Sequence, residues 1–455
     1  MFGIKINNFR SLNNQKFDFT KVSILIGENS SGKSSLLKFL LFLKRSTKLN
    51  STSFRYTSEL GKFDDFVYFH NEELNVSFDL SYGENYINFF NSELGSKEDW
   101  KIFCAEALSL KENQRMVNLN FSFNKDIQTT NDVSTTIENP YYGKLIISRS
   151  SKESDSVIQG NLCDLSYKSF KQNKEVKLDS VSYNQHGFLT ITIGSDIKNK
   201  IEKNPDWDNT IFNEIAFLLI SQNYTLEILN SISYINPIAS TPERAYDENE
   251  IQGRLYKVKD IKDVVNILSD QSFDLKVRKG LLNNLNKALR LYGILHEVKT
   301  KSSEFGPKEL QVKVNKDGVW SNIKDVGYGS SLQIPILFQA LIGNLTGGEI
   351  IIIEQPEVHI HPLLQAKFIE TLLKVGDKNT YIIETHSTDL IRKLQVMVKK
   401  ETADLTSKDI SIYYFKKPKN ISEITFHEIN ENGKLIPKFP SGFYDSSVNL
   451  VKELF

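Results

Sequence analysis

The chain has 455 residues, room for about two to three domains of ordinary size. Its 56 Lys+Arg against 56 Asp+Glu leave no net charge, and 40% hydrophobic with 25% charged residues is a globular composition, which excludes a uniformly basic DNA-coating protein and a disordered acidic one. The neutrality is a cancellation: residues 1–62 carry 11 basic against 3 acidic side chains, and residues 63–100 carry 1 against 9. A local basic surface for nucleic acid therefore stays open, and the acidic block suits a basic partner or another protomer. Cys104 and Cys163 are too few for a disulfide framework and lack zinc spacing, which fits a reducing compartment. No apolar run reaches the roughly 20 residues that span a bilayer, and no leader with a small-residue cleavage site opens the chain. The expectation is a cytoplasmic protein with no membrane partner.

In chain order, Phe2 to Phe9 alternates as a strand and Val22 to Ile26 is a short β-rich apolar run. Gly27 to Ser34 breaks that run before the helical stretch Ser35 to Leu43. From about Phe63 to Ser195, segments such as Asn75–Leu80, Lys144–Ser148 and Leu189–Ile193 alternate between Asn, Gly and Ser clusters, which predicts antiparallel strands. From Asp208 to Leu295 the pattern is helical, interrupted by a loop at Pro237 to Gly253. A hairpin is predicted from Glu309–Val314 and Val319–Ile323 around Lys316-Asp-Gly318. Then Glu349–Ile353, a helix over Leu363–Val375 and Tyr381–Ile383 read as an α/β unit with a parallel sheet. No repeat of fixed period and no long heptad array occurs, although 321 residues separate Lys33 from Glu354.

Gly27-Glu28-Asn29-Ser30-Ser31-Gly32-Lys33-Ser34 matches the phosphate loop G-x-x-x-x-G-K-[ST] in full, after an apolar strand and before a helix that begins near Ser35. Glycines let backbone N–H groups turn toward phosphate oxygens, and the helix start adds positive dipole. Lys33 is expected to reach the β- and γ-phosphates and Ser34 to ligate Mg²⁺. Such a loop needs a carboxylate source. Glu354, at the end of the apolar run Ile350–Ile353, is the Mg²⁺-side candidate, because parallel strands project their last side chains into the crevice at the sheet's carboxyl edge.

These residues, with Asn8–Leu12, Asp325–Ser331, Ile353–Pro362 and Glu384-Thr-His-Ser387, resemble the ABC-type ATPases of prokaryotic defence, relatives of the overcoming-lysogenization-defect (OLD) ATPases. The Glu-Gln-Pro-Glu form, Tyr234–Tyr246 and Phe439–Asp445 are similar to the stand-alone ATPase subunits of the Septu and PARIS anti-phage systems. The resemblance implies an α/β fold: an ABC-type P-loop ATPase head with a mixed sheet core, an antiparallel β subdomain, a helical insertion and no long coiled coil. The implied organisation is an N-terminal lobe over 1–62, the β subdomain over 63–207, the insertion over 208–300 and a C-terminal lobe over 301–455. It further implies that Gly329, Ser330 and Ser331 form the signature that meets the γ-phosphate of a second protomer, that His386 is the switch histidine, and that Arg10 lies near the nucleotide.

Two positions depart from the family pattern. Relatives commonly carry a second Glu as the general base where this chain has Gln355, and an amide cannot take the water's proton. Either Glu357 or another acid substitutes, or hydrolysis is slow and ATP serves mainly to hold a dimer; slow, regulated hydrolysis is the favoured reading. Leu332 stands where relatives often have Gln. The expected function is an ATP- and Mg²⁺-dependent homodimer, within a larger oligomer, that regulates a separate nuclease after a DNA or phage-protein cue. The alternatives are a DNA-repair clamp resembling SMC ATPases, and a nucleotide-gated scaffold. Only 69 residues follow His386, which favours a nuclease on another polypeptide.

Other clusters admit plainer readings. Glu357, His359 and His361 alternate like metal ligands but fall within the family segment after Glu354. Thr241, Arg244 and Tyr246 in the Pro-bounded loop are functional or capping. Lys393, Lys399 and Lys400 read as a solvated helix face.

Overall fold

The computed structural model describes residues 2–47, 63–82, 117–123, 133–149, 162–186, 190–193, 209–235, 241–246, 257–272, 274–302, 307–417 and 421–440. Cys104, the acidic residues from 83 to 100, residues 236–240 and 247–253 of the Pro-bounded loop, and Ser441 to Asp445 lie outside them. The chain divides into two compact units. The first holds Met1–Phe19, Ser30–Asn230 and Lys417–Glu423, and the second holds Thr20–Asn29, Ser231–Lys416 and Ile424–Phe455.

The chain enters through strands β1 (Phe2–Asn7) and β2 (Gln15–Phe19), crosses into the second unit for β3 (Val22–Gly27), and returns to the first at helix α1 (Lys33–Ser46). The first unit is built on a nine-stranded sheet. It adds β4 (Val76–Tyr82), β5 (Val117–Phe123), β6 (Val133–Asn139), β7 (Gly143–Arg149), β8 (Leu162–Ser169), β9 (Lys174–His186) and β10 (Thr190–Ile193). Their order is β10-β9-β8-β7-β6-β5-β4-β1-β2, antiparallel throughout. In β4 the alternation is strict: Val76, Phe78, Leu80 and Tyr82 are buried while Ser77, Asp79 and Ser81 are partly exposed. Phe39 of α1 packs edge-on against Phe78 at 5.4 Å and Phe9 at 4.7 Å, and each such ring contributes about 1.5–3 kcal/mol by leaving water. Helix α2 (Asn209–Ser231) sets Phe217 against Tyr142 at 4.9 Å. Its buried Glu214 accepts from Tyr167 Oη (2.7 Å) and Ser169 Oγ (2.8 Å), and burial followed by that carboxylate pushes the Tyr167 phenol well up. At the sequence level β1 reads as part of the lobe that carries the loop. Its register with β4, from Phe2↔Tyr82 to Asn7↔Ser77, instead makes it part of the antiparallel sheet.

The second unit has a seven-stranded mixed sheet. To β3 it adds β11 (Ile232–Ile235), a three-stranded side sheet of β12 (Glu297–Ser302), β13 (Lys308–Lys313) and β14 (Ser321–Asn322), then β15 (Ile350–Glu354), β16 (Thr380–Glu384), β17 (Ile410–Lys416), β18 (Glu423–Ile429) and β19 (Leu435–Ile436). The order is β11-β15-β16-β3-β17-β18-β19, with β11 through β17 parallel and β18–β19 an antiparallel hairpin. Fully buried Ile351 to Ile353, Ile382 and Ile383 account for the unbroken apolar runs of β15 and β16. The helices are α3 (Ile261–Ser269), α4 (Leu275–Tyr292), α5 (Tyr328–Leu345), α6 (Pro362–Val375) and α7 (Thr388–Lys399). Strand β11 lies inside the stretch that reads as helical. Its four residues, Ile-Ser-Tyr-Ile, continue the apolar pattern of α2 with no turn signal between them, and pairing with β15 decides their state.

Among the described residues the longest helix has 23 residues, no coiled-coil arm is present, and no helix is long and apolar enough to cross a membrane.

Of the lysine run, Lys393 is tied to Glu370 at 2.5 Å, and Lys374 reaches the same carboxylate at 2.7 Å, joining α7 to α6. Lys374 and then Lys393 hold Glu370 at about 2, below its ordinary 4.5. A depressed acid stabilises the fold above its unfolded pKa and loses that contribution as pH falls through the folded one. Glu370→Gln should therefore lower the melting temperature at pH 7 by a few degrees, and the gap to wild type should close between about pH 4.5 and 2, as thermal scans across that window would show.

Candidate functional site

The phosphate loop starts where β3 reaches the carboxyl edge of its sheet. Gly27 has φ +142°, and a Cβ there would lie 2.1 Å from the Phe415 carbonyl oxygen, so only glycine lets β3 and β17 stay paired to this point. Glu28 donates its N–H to that same carbonyl at 3.1 Å. Glu28, Asn29 and Ser30 are exposed, Ser30 with φ +57°. Gly32, at φ +105° and ψ 0°, caps α1, and a Cβ there would meet Ser422 Oγ at 2.5 Å and Ser11 Oγ at 2.9 Å. The helix begins at Lys33, whose side chain is 4% exposed, while Ser34 is exposed and Ser35 half-buried. Ser31 is buried and its carbonyl accepts from Ser422 Oγ at 2.6 Å. An exposed stretch from Glu28 to Ser30 leading into a helix, a lysine at the helix's first position and a neighbouring exposed hydroxyl are a donor set that suits a polyphosphate.

The second cluster stands on the same sheet edge from which the loop departs. Register aligns Glu354 with Glu384, and Glu384 with Leu25 of β3. Glu354 is half-buried. Gln355 takes a left-handed turn, φ +44°, with its N–H donated to the Glu384 carbonyl at 2.7 Å. Both Glu357 oxygens are engaged: Oε2 accepts from Thr385 Oγ1 (2.8 Å) and Oε1 from the His386 N–H (2.6 Å). The exposed His386 therefore sits on a backbone pinned by Glu357. Ser387 caps α7 and donates to Gln365 Oε1 at 2.7 Å, which ties the same turn to α6.

Gly329 to Ser331, expected as the signature, lie in the first turn of α5. Gly329 is buried against the loop after Glu354, Ser330 is half-buried, and Ser331 is turned inward with its hydroxyl donating to the Tyr328 carbonyl at 2.6 Å. One turn on, buried Gln333 donates to the Pro356 carbonyl at 2.8 Å. Leu332 is buried at 4% exposure and fills core space. Before the helix, Arg244 grips Asp325 with two bonds of 3.1 and 2.6 Å, and Tyr246 pairs with Lys308. The Pro-bounded loop is thereby fastened to the approach to α5. In the first unit, Arg10 has φ +50°, donates its N–H to Phe66, and has its guanidinium pulled down by burial, with Asp65 opposing.

His359 lies edge-on to Tyr328 at 5.3 Å, and His361 Nδ1 accepts from the Leu363 N–H at 3.3 Å. Among the described residues no group of three or more His, Cys, Asp or Glu is placed to hold a metal ion. Sequence reasoning gave no role of their own to Ser11 and Thr385, which lie in segments that carry the resemblance, and passed over Gln333, Phe415 and Ser422. Each is bonded at the site to a residue distant along the chain, so no local pattern marks it.

A phosphate loop leaving a parallel core, acids at the same edge, and an attached antiparallel sheet define an ABC-type P-loop ATPase head. The chain belongs to the AAA ATPase domain family, whose model matches residues 1–391, and with that membership come ATP and, as is usual for such enzymes, Mg²⁺. Residues 405–454 match a second family, described as a protein of unknown function (DUF3696). No curated protein matches the chain. Among solved structures it is similar to an Smc head bound to the C-terminal winged-helix domain of ScpA, with 10% identity, TM-score 0.41, and 94% of this chain and 97% of that one covered. It is also similar to the SMC head domain from Thermotoga maritima, with 10% identity, TM-score 0.40, and 93% and 97% covered. A third is the Smc head with an extended coiled coil bound to the C-terminal domain of ScpA, derived from Pyrococcus furiosus, with 10% identity, TM-score 0.40, and 100% of both chains covered. Likenesses this loose carry no residue role across.

Proposed function

We propose that this chain binds ATP and hydrolyses it slowly, that two copies close on the nucleotide, and that the closed form regulates a separate nuclease in anti-phage defence. The observation that carries the reading is the loop from Gly27 to Ser35, with glycines where a Cβ would collide and Lys33 at the first position of α1. Loop N–H groups and Lys33 would hold the phosphates, with Arg10 nearby. The Ser34 hydroxyl and the Glu354 carboxylate are hard oxygen donors that would suit Mg²⁺, and the ion would supply positive charge against the phosphates. Ser330, half-buried in the first turn of α5, is the hydroxyl that would meet a second copy's nucleotide, alongside Gly329 and Ser331. His386 would sense the terminal phosphate from its pinned backbone. The nuclease and the DNA or phage-protein cue rest on the resemblance to stand-alone defence ATPases.

Slow turnover follows from Gln355 and Glu357 together. Gln355 has no basic lone pair for the water's proton, and Glu357 already accepts two hydrogen bonds that fix Thr385 and His386. Gln355→Glu should raise kcat about 100-fold with ATP affinity unchanged. Glu357→Ala should lower kcat about tenfold by releasing His386, an effect on positioning. Multi-turnover phosphate release measures both, and equal rates in all three proteins would overturn the assignment. Native mass measurement of the protein purified with its operon neighbour tests the nuclease: a stable complex that loosens with ATP is expected, and the ATPase alone would sink it.

A further inference from the structure

We infer that the C-terminal segment, the part matching a family of unknown function, shapes the phosphate loop from behind, and that Ser422 is a positioning residue for phosphate binding. The inference rests on the loop taking phosphate. The segment grips the loop at two places. At the start, β17 runs beside β3 to the pair Phe415↔Gly27, and the Phe415 carbonyl takes the Glu28 N–H at 3.1 Å. At the far end, Ser422 is 1% exposed and donates its N–H to the Ser11 carbonyl at 3.1 Å. Its hydroxyl is bonded to the Ser31 carbonyl at 2.6 Å and shares a hydrogen bond with Ser11 Oγ at 2.7 Å.

The bond to Ser31 orients a donor. A trans peptide is planar, with its C=O and N–H pointing to opposite sides. Fixing the Ser31 carbonyl on Ser422 therefore turns the Gly32 N–H to the side away from Ser422. The missing Cβ of Gly32 makes room for this contact, since any side chain there would strike Ser422 Oγ at 2.5 Å. Removing the hydroxyl takes away this bond to a buried carbonyl and loosens the peptide, so the cost falls on the preorganised N–H rather than on the fold alone.

The test compares wild type, Ser422→Ala, Ser422→Thr and Ser11→Ala. ATP affinity is read by calorimetry below all melting temperatures, and amide exchange is read over Glu28–Ser35. Ser422→Ala should weaken ATP binding about tenfold and speed exchange across the loop, with Ser422→Thr closer to wild type because it keeps the donor. Ser11→Ala should weaken binding about threefold; it stands in if Ser422→Ala does not fold. ATP affinity within twofold of wild type in folded Ser422→Ala overturns the inference, as a purely structural serine would lower only the melting temperature. If wild type itself does not bind ATP, the nucleotide reading fails separately. Loop exchange then judges the buttress by itself, and unchanged exchange in Ser422→Ala rejects it.

Discussion

Lys33→Ala should weaken ATP binding by about 100-fold or more while the protein keeps its secondary structure and elutes as wild type does. Lys33 is the first residue of α1 and is 4% exposed, so little water competes for it, and a charge-assisted bond to a phosphate is worth about 1.5–3 kcal/mol. Losing contacts to two phosphates removes about 3–5 kcal/mol, which is a factor of 100 to several thousand in affinity. The helix does not depend on the residue. Its hold on the sheet comes from Leu36, Phe39, Leu40 and Leu43, all fully buried, and alanine is the better helix former at position 33. Calorimetry with ATP, beside circular dichroism, separates the two effects. Wild-type affinity in a folded Lys33→Ala would remove the phosphate role from this loop.

The loop was legible because everything that specifies it is contiguous: an apolar strand, glycines at fixed spacing, a lysine and a helix follow within 20 residues. Strands β15 and β16 were legible for a related reason, since burial on both faces writes an unbroken Ile run. What the sequence hides is set by partners. Gln355 stands out in the sequence at once, yet the two bonds that occupy Glu357 come from residues 28 and 29 positions later. Ser422 is 391 residues from Ser31 and looks like any loop serine. The Ile-Ser-Tyr-Ile of β11 is too short to announce a strand after a 23-residue helix. Periodicity reports a residue's burial and not its partner, so the scaffold of the site could be read and its wiring could not.

Gly329→Val should abolish nucleotide-dependent self-association and with it most turnover, while one protomer still binds ATP within about threefold of wild type. The second residue of α5 touches the turn after Glu354 so closely that a Cβ would sit 2.2 Å from the His359 carbonyl oxygen and 3.1 Å from Ile360 Cδ1. The obstacle is backbone, fixed at His359 by φ +61°, and cannot rotate aside as a side chain could. Gln333, four residues on and on the same helix face, is bonded to Pro356 of the same turn, so a forced shift at Gly329 also strains a buried hydrogen bond. Overpacking of this kind costs about 1–3 kcal/mol, and the helix start answers by tilting, which displaces Ser330 by more than a phosphate contact tolerates. Ala should give a weaker form of the same defect. Light scattering with ATP in the Glu357→Ala background, where turnover is slowed, reads association, and calorimetry reads binding. Association that survives Gly329→Val would detach this segment from the contact between copies. Loss of ATP binding as well would mean that α5 supports the protomer's own nucleotide site rather than its partner's.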